Sequence, residues 1–222
     1  MELTKFREQV AVEHELDTDN TTVNSLGFSA DEEHLLINGL NADAALETVY
    51  NMLGINKGYA KKFPVRLMLP HIEYRARQIE RDVSMVSLYG TLVGFSPGVQ
   101  FNPLLHGDIL DAVEQVVGED AKIEDVSYSL TKSSFMVTNG VYTEPKVGDI
   151  TKAGIMVRNS ILGIQQPEFS LVAKRLVCTN GMVRAETITR VTSGDRWRVP
   201  ELIETLWNQS QTCWINSRVQ IH

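Results

Sequence analysis

Cys178 is the residue best placed by type to act as a nucleophile, since it sits beside a turn and close to Lys174 and Arg175, cations that lower a thiol pKa. A thiol nucleophile also needs a positioned base, and the second half of the chain holds no histidine except His222. A buried structural cysteine is the better reading. His106, Asp108 and Asp111 lie close enough in sequence to suggest metal binding or acid-base work. No second His or Cys stands at a useful interval, and acids in the first turn of a helix are explained by its positive end. Asp149 and Glu168 would form an acid-base pair only if the strands carrying them met, and isolated carboxylates at loops are usually turn and edge residues. There is no phosphate loop, dinucleotide fingerprint or zinc-protease helix. The sequence therefore names no catalytic residue, no metal ligand and no cofactor, and points away from an enzyme.

Charge is more informative. The 222 residues carry a net charge of −7, which opposes nonspecific contact with phosphate unless the cations are gathered on one surface. They are segregated along the chain. The first fifty-six residues hold only Lys5 and Arg7 as cations. Between residues 57 and 81 come Lys57, Lys61, Lys62, Arg66, Arg75, Arg77 and Arg81 against Glu73 and Glu80. A second basic segment holds Lys174, Arg175, Arg184, Arg190, Arg196 and Arg198 against Glu186 and Asp195. Tyr74 lies among the first set and Trp197 within the second. Aromatics beside cations can stack bases while phosphates are neutralised, so the expected contact residues are Lys57, Lys61, Lys62, Arg75, Arg77, Arg81, Lys174, Arg175, Arg184 and Arg190, with Tyr74 and Trp197 for stacking.

The elements that must position these residues read as an α+β chain: a mainly helical N-terminal half, and a C-terminal antiparallel β-meander packed against helices. Residues 1–28, acidic with apolar residues only at intervals, read as a partly extended arm. Residues 29–222 read as one α+β domain, helical over about 29–120, with the meander and a closing helix over about 121–222. Asn41 caps a helical run with Leu46, Val49, Tyr50 and Leu53 on one face, stopped by Gly54. Pro70 stands near the start of a second helix whose stripe is Ile72, Ala76, Ile79, Val83 and Val86, with a strand taking over across Ser84–Phe95. Ile109, Val113 and Val116 mark a third helix before Gly118. Then KIEDVSYSLT, SSFMV, VYT, GIMVRNS, FSLVAKRLVC and MVRAETITRVT read as strands, with Asn139-Gly140 and Asn180-Gly181 as reversals. Pro200 opens a last helix with Ile203, Leu206, Trp207, Ser210, Cys213 and Trp214 on its buried side. No run reaches the length of apolar chain that crosses a bilayer, so the expected setting is cytoplasm without membrane contact.

One stretch carries a resemblance. Gly148, Asp149, Gly154, Asn159, Ser160 and Gly163, followed by the run Val177-Cys178-Thr179-Asn180-Gly181, resemble the signature of a phage/plasmid-like family, domain of unknown function 932. Leu53-Gly54-Ile55, Tyr59 and Pro64 match it more loosely upstream. The resemblance implies carriage on phages, prophages or plasmids and supplies no activity. Ring-forming single-strand annealing proteins share a strand-strand-strand-helix plan, an analogy of fold only. Together these give the expectation of a non-enzymatic, homo-oligomeric protein that binds or anneals single-stranded DNA in recombination or replication, in the host cell cytoplasm. The alternative is a protein-binding module acting on a host defence system or in the virion, its acidic arm meeting a basic host or phage partner.

Overall fold

The computed structural model describes residues 2–31, 33–98, 104–118, 121–139, 151–176, 183–192 and 198–219, excepting the side chains of 175–176, 183–185 and 211–219. The chain divides into two compact units. One comprises Met1–Glu13, Leu104–Ile161 and Gln165–His222, the other His14–Pro103 and Leu162–Ile164.

The chain opens with helix α1 (Leu3–Val10), whose Leu3, Phe6 and Val10 are buried at helical spacing. Strand β1 (Asp17–Thr22) follows and runs antiparallel to a later strand. The acidic segment expected to be an extended arm is therefore built into both units. Leu3, Phe6 and Val10 form the apolar stripe of a short helix, and the intervening Thr4, Lys5, Arg7, Glu8 and Gln9 are its wetter side.

The second unit continues with β2 (Phe28–Ala30), β3 (Leu35–Ile37) and β4 (Leu40–Asn41). Asn38 and Gly39, both at positive φ, reverse the chain between β3 and β4. Helices α2 (Leu46–Met52), α3 (Lys57–Ala60) and α4 (Val65–Arg77) come next, then β5 (Asp82–Leu88) and β6 (Thr91–Pro97). The six strands form one sheet in the order β1-β5-β6-β4-β3-β2, antiparallel except for the single β4–β6 pair. The N-terminal half thus carries a six-stranded sheet beside its helices, where a mainly helical half was expected. Its short strands carry too few residues to show a period, and β5 is buried at Val83, Ser84, Met85 and Val86 in succession, which removes the alternation that marks a half-buried strand. Helix α4 also begins earlier than expected, with Pro64 at its cap and Pro70 inside it, and it stops at Gln78. The apparent helical stripe runs from Ile79, just past the helix end, into Val83 and Val86 of β5, a strand read at the wrong period.

The first unit resumes with α5 (His106–Val117), ended by Gly118 at positive φ. Strands β7 (Lys122–Ser129), β8 (Lys132–Thr138), β9 (Thr151–Ser160), β10 (Glu168–Leu176) and β11 (Val183–Thr192) form an antiparallel sheet in sequence order, and α6 (Val199–Val219) closes it. This is the antiparallel C-terminal sheet with helices that the sequence led us to expect. The reversals at Asn139-Gly140 and Asn180-Gly181, and the expected strand VYT, lie outside the described residues. Alternation along β8, β9 and β10 sends Phe135, Val137, Ile155, Val157, Phe169 and Leu171 to one face, where they form a core with Leu3 and Phe6 of α1, Ile109 and Val113 of α5, and Ile203 and Leu206 of α6. Core burial on the other unit centres on Leu35, Ile37, Val49, Leu53, Ile72 and Leu92.

Candidate nucleic-acid interface

The basic segment of the second unit is positioned by a helix end, a cap and a clamp. After α2, Gly54 turns the chain at φ +64°, and Arg75 Nε donates to the Leu53 carbonyl at 2.9 Å. A side chain at position 54 would meet the Arg75 guanidinium at 2.8 Å, so Gly54 makes room for the clamp. Arg75 thus satisfies a helix-end carbonyl through Nε, which ties this half-buried cation to the fold. The Asn56 side chain caps α3 by accepting the Tyr59 N–H at 3.0 Å. Lys57 pairs with Glu47.

Beyond that point the surface opens. Helix α4 buries Met68, Ile72 and Ala76. Its opposite face exposes Leu67 and Tyr74, seven residues apart, with Pro70 and His71 exposed between them. Phe63, just before the cap, is exposed and stacks at a tilt on exposed Tyr59, ring centroids 5.0 Å apart. Four of the seven large apolar residues exposed among those described, Tyr59, Phe63, Leu67 and Tyr74, therefore fall on one helix-turn-helix stretch. Such clustering differs from the single scattered exposures that need no explanation. Lys61, Lys62 and Arg66 stand in the same stretch, exposed and with no ion pair among the described residues. Arg77 meets Glu73 only at 4.0 Å. Arg81 is exposed past the helix end.

The C-terminal sheet is different. Lys174 of β10 pairs with Asp125, which sits at the irregularity in β7 with φ +52°. Lys152 pairs with Glu124 at 3.0 Å. Glu168 accepts from Arg158 at 2.8 Å and lies 3.4 Å from Arg190. The Ser170 hydroxyl donates to the same carboxylate at 3.2 Å. Burial pushes the Lys174 ammonium below its ordinary pKa, with the Glu124 charge pulling the other way. Four cations are met by three carboxylates: Lys174 is largely buried and paired with Asp125, whereas Arg190 shares Glu168 with Arg158 and keeps more than half of its side chain exposed. Arg175 and Arg184 face one another in register, but their side chains, like Trp197, Cys178 and Asp149, lie outside the description.

The His106 cluster also departs from its reading in sequence. Asp108 accepts the Leu105 N–H at 3.1 Å at the helix start, and Asp111 pairs with Arg7. The partner of His106 is Glu13, ninety-three positions upstream: its carboxylate takes both the His106 backbone N–H, at 2.8 Å, and ring Nδ1–H. Tyr128 OH donates to Glu13 as well, at 3.3 Å. Glu13 and His106 are buried, so this dyad is closed to a substrate. Among the described residues no group of three His, Cys, Asp or Glu is placed to hold a metal, and no helix is long and apolar enough to cross a membrane.

Sequence reasoning did not single out Tyr59, Phe63 and Leu67, which the structure exposes on one stretch. The signal was present in the interleaving of aromatics and lysines in NKGYAKKFPVRL. It likewise missed Glu13, for which no local signal exists. No protein-family model matches the chain, and neither a curated protein nor a solved structure matches it.

Proposed function

We propose that the protein binds single-stranded nucleic acid through the α3–α4 face, as a non-enzymatic, homo-oligomeric DNA-binding or annealing factor of a phage or plasmid, acting in the host cell cytoplasm. The observation that carries this reading is the row Tyr59, Phe63, Leu67 and Tyr74, exposed beside Lys61, Lys62 and Arg66, in a chain whose net charge is −7. Cations with no ion pair among the described residues, on the same stretch of chain as exposed rings in an acidic protein, favour a polyanion with flat apolar faces. Unstacked bases supply those faces, whereas a duplex keeps them inside its stack. The family resemblance adds a setting in mobile elements.

Fluorescence anisotropy of a labelled thymidine oligonucleotide tests it. Affinity is expected to fall as salt rises from about 50 to 200 mM, with a logarithmic slope near −0.7 per phosphate neutralised. Lys61→Glu combined with Lys62→Glu should weaken binding and flatten that slope by about 1.4. Tyr74→Ala should cost about 1–3 kcal/mol. Binding indifferent to salt and to all three substitutions would refute the proposal, as would capture of an acidic protein by this face with no affinity for the oligonucleotide.

A further inference from the structure

The flank of α4 borders a half-open hollow of about 230 Å³ lined by Asn24, Leu26, Gly27, Phe28, Glu73, Ala76 and Arg77. Its size falls below the roughly 300–1,000 Å³ of pockets for drug-sized ligands, which suits a single planar heterocycle. Leu26 and Ala76 are buried and expose little to it, which leaves half-buried Phe28 as the apolar side chain against which a ring can lie. Glu73 and Arg77 supply the charged groups. At 4.0 Å their ion pair is longer than a hydrogen bond, and each retains its capacity to bond a third group.

These two side chains read chemically. Glu73 accepts only, and its two oxygens suit a pair of adjacent N–H donors. Arg77 donates only, and suits a carbonyl beside them. Guanine alone among the common bases presents that order on one edge, with N2–H and N1–H adjacent to O6. Adenine and cytosine each offer one amino donor beside a ring-nitrogen acceptor, which would turn a lone pair toward Glu73. Thymine and uracil offer one N–H between two carbonyls. A phosphate at the same place would be repelled by the carboxylate. Tyr74, 62% exposed, follows Glu73 on the same helix but points about 100° around it and does not line the cavity.

Resting on the proposed single-strand reading, we infer that this cavity is a guanine-reading subsite, with Glu73 accepting from N1–H and N2–H, Arg77 donating to O6, and Phe28 against the ring. Competition anisotropy with thymidine oligonucleotides carrying one central guanine, adenine, cytosine or hypoxanthine tests it, the ratio of affinities being the readout. Guanine should be preferred about tenfold or more over thymine, as for a bidentate base contact. Hypoxanthine, which lacks N2–H, should lose most of that preference, and Glu73→Gln should abolish it. Equal binding of all four oligonucleotides, or a guanine preference that survives Glu73→Gln or hypoxanthine substitution, overturns the subsite and leaves the single-strand reading standing. No binding of any oligonucleotide by the folded protein overturns both.

Discussion

At the scale of single residues, the most constrained group is the Glu13 carboxylate, which takes hydrogen bonds from the His106 backbone, the His106 ring and Tyr128. A buried carboxylate is tolerated because three donors replace its water, and those donors then depend on it. The Tyr128 hydroxyl is pushed up to about 12, first by burial, then by the Glu13 charge and by its hydrogen bond to Glu13. An unfolded tyrosine ionises near pH 10. Between about pH 10 and 12 the unfolded chain has released a proton that the folded chain keeps. Stability from this group is thus complete below pH 10 and is lost as pH rises toward 12, with a slope of at most about 1.4 kcal/mol per pH unit. Tyr128→Phe should cost about 1 kcal/mol at neutral pH and remove that part of the alkaline decline. Urea unfolding at stepped alkaline pH measures both, and parallel pH profiles for wild type and variant would contradict the account. Little of this was legible in the sequence. His106 stood beside Asp108 and Asp111, but neighbours along a chain share a helix turn and not necessarily a contact, whereas Glu13 arrives by the packing of α1.

At the scale of elements, legibility followed period and turn chemistry. Gly54 and Gly118 ended helices as expected, whereas Asn41 is the last residue of β4 and α2 starts only at Leu46, behind Ala45. The antiparallel meander β7 to β11 was readable because β-branched residues alternate between clear reversals. The failures were elements whose burial is not one-sided, β5 above all. Gly154 shows what a pattern alone does not explain. It lies in the middle of β9 opposite Val172, and a Cβ there would stand 2.5 Å from the Val137 carbonyl oxygen and 2.9 Å from Thr138 Cγ2. Its φ is not in the left-handed region, so a change to alanine ought to stabilise by about 0.4–1 kcal/mol through the unfolded chain. Overpacking against a backbone atom costs about 1–3 kcal/mol and dominates. Gly154→Ala should therefore lower the melting temperature, and a rise would show that β8 yields without penalty.

At the scale of the whole molecule, the chain enters the first unit, leaves it after Glu13, builds the second, and returns at Leu104. Composition cannot show such a path, because a discontinuous unit leaves no boundary in the running average of charge or hydropathy. It set the division near Phe28, where acidity fades, while contacts set it at Glu13. The difference matters for the reading in which an acidic arm meets a partner. Leu3, Phe6 and Val10 are at most 5% exposed, and Phe6 packs edge-on against Phe135 at 5.1 Å and Tyr128 at 5.7 Å. Burying three such side chains contributes about 5–9 kcal/mol at about 1.5–3 each, which approaches the roughly 5–15 kcal/mol of a whole domain. Deleting residues 1–13 should therefore collapse amide protection in α5 and in β7 to β10, because it removes one wall of that core together with the Glu13 carboxylate. Strands β5 and β6 draw their core from Leu35, Val49 and Ile72 and should keep more of theirs. Hydrogen exchange on the truncated chain reads both halves at once. Full protection persisting in α5 and β8 would mean that α1 is a dispensable cover; loss confined to the first unit would mean that a binding defect in such a deletion reports lost structure, not a lost docking arm.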